Sequence, residues 1–216
     1  MKAEFWHKCW EKKAIGFHQD AIHPFLKSEL AQLNFSTSDT VFVPLCGKSL
    51  DMLWWAERCQ VVGSELSEIA CQEFFAENDL TSQKRKSDAF TVYQLDNLAI
   101  YQGDFFALAP NKLPKFKYIY DRAALIALPE QMQKAYAAHL SQFIGQNTEL
   151  LLISVEFPNE EHQGPPFSTS AQCVNELFDH FVVEELAVNE LKDKQFARRS
   201  LDVSYLTERL YRITRS

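Results

Sequence analysis

Short apolar runs alternate with amphipathic segments along most of this chain. Three continuous apolar runs are typical of strands buried on both faces of a sheet: residues 41–43, 118–120 and 150–155. Residues 132–143 instead carry apolar side chains at helical spacing. Residues 90–101 form two apolar stretches joined at Asp96-Asn97, which predicts a hairpin. The alternation predicts an α/β fold with a largely parallel sheet.

The first predicted strand runs through a glycine-containing turn directly into a helix start. In α/β sheets, ligands bind at the carboxyl ends of the strands. The sequence Gly47-Lys48-Ser49 resembles the end of a phosphate-binding loop, but the first glycine of that motif would fall at Phe42. A dinucleotide fingerprint is also missing, because Gly47 is the only glycine of the turn. The turn therefore lacks a phosphate cradle, and it predicts no role for Lys48.

Acidic and basic residues follow the predicted strands directly. Glu65 follows the second predicted strand, 18 residues after Gly47, close to the spacing of about 20 at which an acid binds ribose hydroxyls. The turn and this acid together favour a ribose-bearing ligand. Asp104 and Phe105 follow the hairpin and are candidates to bind a base, although core packing explains the ring equally well. Arg122 follows another buried strand and is either a ligand for a carboxylate or the ion-pair partner of its neighbour Asp121.

Composition narrows the class of protein. The chain has 216 residues and a net charge of −7, which disfavours binding to nucleic acid or to an anionic membrane. Its one basic cluster, residues 84–86, is interpreted as a solvated loop. Five cysteines without a Cys-x-x-Cys pair favour free thiols in a reducing compartment, and no histidine has metal-ligand spacing. No signal peptide or membrane span is visible. We expect a cytoplasmic protein with one domain, residues 1–216, and an N-terminal helical segment, residues 1–35.

Motifs spread over most of the chain carry a resemblance to a known family. The two longest are VPLCGKSLDM at 43–52 and YDRAALIALP at 120–129. The shorter ones lie at residues 4–10, 15–19, 63–67, 103–106 and 164–167. In these motifs the chain resembles the bacterial form of the thiopurine S-methyltransferase family.

The resemblance implies a class I methyltransferase (Rossmann-like) fold. Such a fold has a seven-stranded, mostly parallel sheet with helices on both faces and an antiparallel last strand. The implied cofactor is S-adenosyl-L-methionine, which leaves as S-adenosyl-L-homocysteine. The implied reaction moves the methyl group to the sulfur of an aromatic or heterocyclic thiol such as a thiopurine.

The resemblance also implies roles for particular residues. The cofactor-binding residues would be Trp10, Leu45, Glu65, Asp104, Phe105 and Arg122. Phe17 would lie on the substrate side, and Arg122 would also reach the substrate through water. Residues 1–35 would cover the active site. A second substrate-side arginine would be Arg198 or Arg199, and the sequence does not choose between them. No residue is identified as a certain acid or base.

Two alternative functions stay open at this point. One is methylation of a selenium or tellurium species, and the other is a domain that binds S-adenosylmethionine without catalysis. The expected partner is a small-molecule thiol, with no nucleic acid, no membrane and a monomeric state. The physiological methyl acceptor is not encoded in any motif.

Overall fold

The computed structural model describes residues 3–215, so the ends of the predicted 1–216 domain lie outside the described residues. These residues fall into two compact units, 3–114 and 115–215. Each unit is described by itself below. The expectation of a single domain stays a prediction.

The first unit contains four α-helices and five strands. The helices are α1 (Ala3–Glu11), α2 (Pro24–Lys27), α3 (Asp51–Ala56) and α4 (Glu68–Glu77), with 3₁₀ turns at Leu30–Gln32, Phe105–Ala107 and Pro110–Lys112. Much of the predicted N-terminal helical segment is therefore irregular. Ser67 caps α4, because its hydroxyl accepts a hydrogen bond from the Ala70 N–H at 3.3 Å.

The strands of this unit form one sheet. They are β1 (Thr40–Val43), β2 (Gln60–Glu65), β3 (Gln83–Ser87), β4 (Phe90–Leu95) and β5 (Leu98–Gln102), in the order β3-β4-β5-β2-β1. β1, β2 and β5 are parallel, so their carboxyl ends share one edge. β4 and β5 form the hairpin predicted at Asp96-Asn97. Residues 84–86 were expected to form a loop, and this was wrong: they lie in the edge strand β3, where pairing with β4 leaves the long basic side chains exposed.

The second unit contains α5 (Glu130–Leu140) and α6 (Ala171–Leu177), with 3₁₀ turns at Leu125–Ala127 and Ser141–Phe143. Its main strands are β6 (Tyr118–Arg122), β7 (Glu149–Glu156), β8 (Val182–Glu190) and β11 (Thr207–Thr214), in the order β6-β7-β11-β8. β9 (Gln195–Phe196) and β10 (Arg199–Ser200) form a separate small hairpin. β6 and β7 are parallel, and β11 is antiparallel to both of its neighbours, which confirms the predicted antiparallel last strand.

The strand count corrects one expectation. Five main-sheet strands in the first unit and four in the second exceed the seven expected. β3 accounts for part of the difference, since its polar sequence gave no strand signal. Within residues 3–215, no helix has the length and hydropathy needed to cross a bilayer. The same residues hold no cluster of three His, Cys, Asp or Glu side chains arranged for a metal.

Candidate active site

The turn after β1 has an unusual backbone. Leu45 and Gly47 have φ values of 46° and 54°, in the left-handed region that favours glycine. The end of β2 supports the turn: the Leu45 N–H donates to the Ser64 hydroxyl at 3.4 Å, and the Cys46 N–H donates to the Ser64 carbonyl at 2.9 Å. The turn is thereby attached to the strand that ends at Glu65.

Glu65 is the central acidic group of this unit. Its side chain is only 7% exposed, and both carboxylate oxygens accept backbone hydrogen bonds. The Gly47 N–H donates to Oε2 at 2.8 Å, and the Ser67 N–H donates to Oε1 at 2.7 Å. Burial raises the pKa of Glu65, while these backbone donors oppose that shift. Among residues 3–215, Glu65 makes no ion pair.

The acceptor positions that remain on the Glu65 carboxylate suit the two hydroxyl groups of a ribose. A carboxylate offers about four acceptor positions, so two backbone bonds leave two for further donors. Two hydroxyl groups on adjacent carbons can use one position on each oxygen. The backbone donors that fix the carboxylate were not predicted, because a backbone N–H carries no sequence signal beyond the turn-forming Gly47 and the capping Ser67.

Trp10 lies against the turn. Its side chain is 4% exposed and packs with Ile15, Ala70 and Phe17. A Cβ added to Gly47 would lie 3.4 Å from Cζ2 of Trp10, so the indole leaves little room there for a larger side chain. Trp10 and Phe17 meet edge to face, with ring centroids 5.7 Å apart. The structure thus brings Trp10, Phe17 and the Gly47 turn together.

The end of β5 joins the same edge of the sheet. The Gly103 N–H donates to the Glu65 carbonyl at 2.8 Å. Asp104 is exposed, and its Oδ1 accepts from the Phe106 N–H at 3.0 Å. Phe105 is 2% exposed and stacks on Phe42, whereas Phe106 is 39% exposed. Of the two rings that follow Asp104, the one that reaches solvent is therefore Phe106. The sequence did not distinguish them, because residues 105 and 106 are both phenylalanine.

Lys48, which had no predicted role, points away from solvent. Its side chain is 6% exposed, and Nζ donates to Glu73 Oε2 at 2.7 Å and to Glu77 Oε1 at 2.6 Å. Burial disfavours the charged ammonium, but the two glutamates outweigh it and raise the pKa of Lys48. The ion pairs connect the turn after β1 to α4.

Arg122 is the last residue of β6, in the second unit. Its neighbour Asp121, the alternative ion-pair partner, has both carboxylate oxygens bonded to other donors. Asp121 is fully buried and uses Oδ1 to accept from the Leu125 N–H at 3.1 Å and Oδ2 to accept from the Tyr136 hydroxyl at 2.8 Å. Burial raises the pKa of Asp121 to about 6. These bonds fix the turn that follows Arg122, in which Ala123 has φ 62°.

The two candidate arginines near the C-terminus differ in their surroundings. Arg199 is half-buried at the start of β10, and its Nη1 donates to the Pro165 carbonyl at 3.3 Å. Arg198 is exposed. A substrate-side role for one of these two arginines stays a prediction.

Comparison with known proteins identifies the family. The family description "Thiopurine S-methyltransferase (TPMT)" matches residues 1–216. A thiopurine S-methyltransferase of Marinobacter nauticus is 40% identical over 202 residues, 92% of each chain.

Two solved structures share the fold. A SAM-dependent methyltransferase from Anabaena variabilis superposes with a TM-score of 0.66 at 14% identity, over 99% of this chain and 95% of that one. The 1,6-didemethyltoxoflavin-N1-methyltransferase of Burkholderia thailandensis, solved with S-adenosylhomocysteine bound, has a TM-score of 0.65 at 12% identity, over 98% of this chain and 87% of that one. The α/β class I methyltransferase fold expected from the sequence is confirmed, and the chain belongs to the thiopurine S-methyltransferase family.

Proposed function

We propose that this protein transfers a methyl group from S-adenosylmethionine to the sulfur of aromatic or heterocyclic thiols, thiopurines among them. The observation that carries the proposal is the buried Glu65 carboxylate, fixed by the Gly47 and Ser67 N–H groups with acceptor positions to spare. A buried acid at the end of the second parallel strand is the group that binds ribose hydroxyls in nucleoside-binding α/β folds.

Other residues of the first unit complete the proposed cofactor site. Leu45 lies on the strained turn, and Trp10 packs over it, where the indole would exclude water from the ribose end. Asp104 would accept from the amino group of the base. Phe105 supports that region from the core, and the exposed Phe106 offers the ring on which a base can pack. Phe17, edge to face with Trp10, is proposed for the substrate side.

The proposed reaction depends more on aligning the thiol sulfur with the methyl group of the cofactor than on proton transfer. When bound, S-adenosylmethionine supplies an electrophilic methyl group. An aromatic or heterocyclic thiol is substantially ionised near neutral pH, so no strong general base is required. Holding two reactants in line can contribute about 7–11 kcal/mol in well-oriented systems. In this chain, Glu65 would fix the position of the cofactor, and Trp10 and Phe17 would exclude water from the reacting sulfur.

A turnover screen tests the proposal. Purified protein is incubated with S-adenosylmethionine and 6-mercaptopurine, thiophenol, selenide or a small alkyl thiol, and S-adenosylhomocysteine release is followed. We expect turnover with the aromatic and heterocyclic thiols, lost in Glu65→Ala. Turnover with selenide alone, detected as volatile methylated selenium by headspace mass spectrometry, would indicate that the acceptor is a chalcogen species and not a thiol. Cofactor binding without turnover on any acceptor would indicate a non-catalytic binding domain.

Several expectations stay predictions of the sequence and the resemblance. They are the substrate-side role of Arg122, the covering of the site by residues 1–35, the monomeric state, the cytoplasmic location and the absence of nucleic-acid and membrane partners. Size-exclusion chromatography with light scattering tests the monomer.

A further inference from the structure

We propose that Lys48 is a positioning residue for cofactor binding. Through its ion pairs with Glu73 and Glu77 it holds the Gly47 N–H on the Glu65 carboxylate. The inference rests on the ribose-binding role proposed for Glu65. Lys48 itself would touch neither cofactor nor substrate.

The two backbone donors to Glu65 come from two different segments. Gly47 belongs to the turn after β1, and Ser67 lies at the start of α4. Lys48 follows Gly47 directly, and its ammonium binds two carboxylates farther along the same α4. The Lys48 ion pairs therefore join the segment that supplies one donor to the helix whose N-terminus supplies the other.

The Gly47 turn needs such support. Leu45, two residues before Gly47, occupies the left-handed region, and a residue other than glycine persists there only when surrounding contacts hold it. Trp10 packs on one side of the turn, but its indole is apolar there and cannot fix the direction of an N–H bond. The buried Lys48 supplies a directional contact from the residue next to Gly47.

Direct charge attraction between Lys48 and Glu65 does not explain the arrangement. Among the described residues, the ion pairs of Lys48 go to Glu73 and Glu77, and Glu65 has no cation within ion-pair distance. Any effect of Lys48 on Glu65 would therefore pass through the backbone of the adjacent Gly47, whose N–H donates to Glu65 Oε2. The carboxylates of Glu73 and Glu77 are partly exposed, and such ion pairs add little stability. The role proposed for Lys48 is therefore to fix geometry.

The first variants compare two lysines near the same helix. Lys48→Met removes a buried lysine and its two ion pairs, and Lys84→Met removes an exposed lysine that lies 4.0 Å from Glu68 on α4. Affinity for S-adenosylhomocysteine is measured by calorimetry, and exchange of the Gly47 amide proton is followed by NMR. We expect Lys48→Met to weaken binding about tenfold and to accelerate exchange at Gly47. Lys84→Met should change neither.

A third variant separates positioning from stability. Lys48→Met leaves Glu73 and Glu77 close together without their cation, which lowers stability by itself. The triple variant Lys48→Met/Glu73→Gln/Glu77→Gln removes all three charges and should recover most of the melting temperature. We expect its S-adenosylhomocysteine affinity to stay low. If the affinity of the triple variant recovers together with its melting temperature, the inference is overturned. If Lys48→Met does not fold, the triple variant alone is compared with the wild type.

Glu65→Gln distinguishes a failure of this inference from a failure of the proposed function. Unchanged affinity in Glu65→Gln would remove Glu65 from the ribose role, and the inference with it. Weakened affinity in Glu65→Gln with wild-type affinity in Lys48→Met would reject the inference alone. If Lys48 acts through Glu65, adding Lys48→Met to Glu65→Gln should cost less than its effect in the wild-type chain.

Discussion

Replacing Glu65 by glutamine is the most direct test of the cofactor site. The substitution keeps the size of the side chain but leaves one oxygen acceptor in place of two, and it introduces an NH₂ donor. Because Gly47 and Ser67 each point an N–H at a different carboxylate oxygen, the amide group cannot accept from both. A bound ribose would also lose at least one hydrogen bond to a charged acceptor.

The expected loss follows from the strength of that bond. A hydrogen bond to a charged group contributes about 1.5–3 kcal/mol, so S-adenosylhomocysteine should bind roughly 10- to 100-fold more weakly to Glu65→Gln. Titration calorimetry near pH 7.5 measures this dissociation constant. Glu68→Gln is the matched control, since Glu68 is a neighbouring but exposed acid of α4. Its affinity should equal that of the wild type.

Stability separates a binding role from a structural one. Burial raises the pKa of Glu65, so the ionised carboxylate is not itself a source of stability at neutral pH. Losing one of the two backbone hydrogen bonds should lower the melting temperature of Glu65→Gln, but the protein should stay folded at the assay temperature while its affinity falls. The reasoning is refuted if the dissociation constant stays within about twofold of the wild type, or if lost affinity is matched by a large fraction of unfolded protein.

Three further predictions concern the supporting structure. Trp10→Ala should weaken S-adenosylhomocysteine binding more than it lowers the melting temperature; the opposite order would make Trp10 a core residue only. Gly47→Ala should reduce the free energy of unfolding in urea by about 1–2 kcal/mol, because alanine disfavours φ 54°, and an unchanged value would mean that the turn relaxes. Asp121 has a pKa raised from 3.8 to about 6, so the folded state binds the extra proton and stability falls as pH rises between these values. Asp121→Asn should remove that part of the pH dependence in urea unfolding at pH 4–7, and an identical pH profile would contradict the assignment.

Local sequence patterns predicted the strands and turns whose structure depends on their own residues. The buried runs at 41–43 and 150–155 became β1 and β7, because a strand covered on both faces needs apolar residues at every position. The Asp96-Asn97 turn produced the β4–β5 hairpin for an equally local reason. The charged strand β3 was missed, because its pairing comes from the neighbouring β4 and not from its own side chains.

Some features of the candidate site were likewise predictable from the sequence, and others were not. The sequence by itself determined the family, the α/β fold and the position of Glu65 at the end of a parallel strand, since each depends on residue order along the chain. The tertiary structure alone decided that Phe105 is buried while Phe106 is exposed, that Ser64 supports Leu45, and that Lys48 turns inward to α4. The direction of a side chain at a turn depends on partners distant in sequence: Glu73 and Glu77 lie more than two dozen residues beyond Lys48. No local pattern records such a partner, and so the role of Lys48 became visible only in the fold.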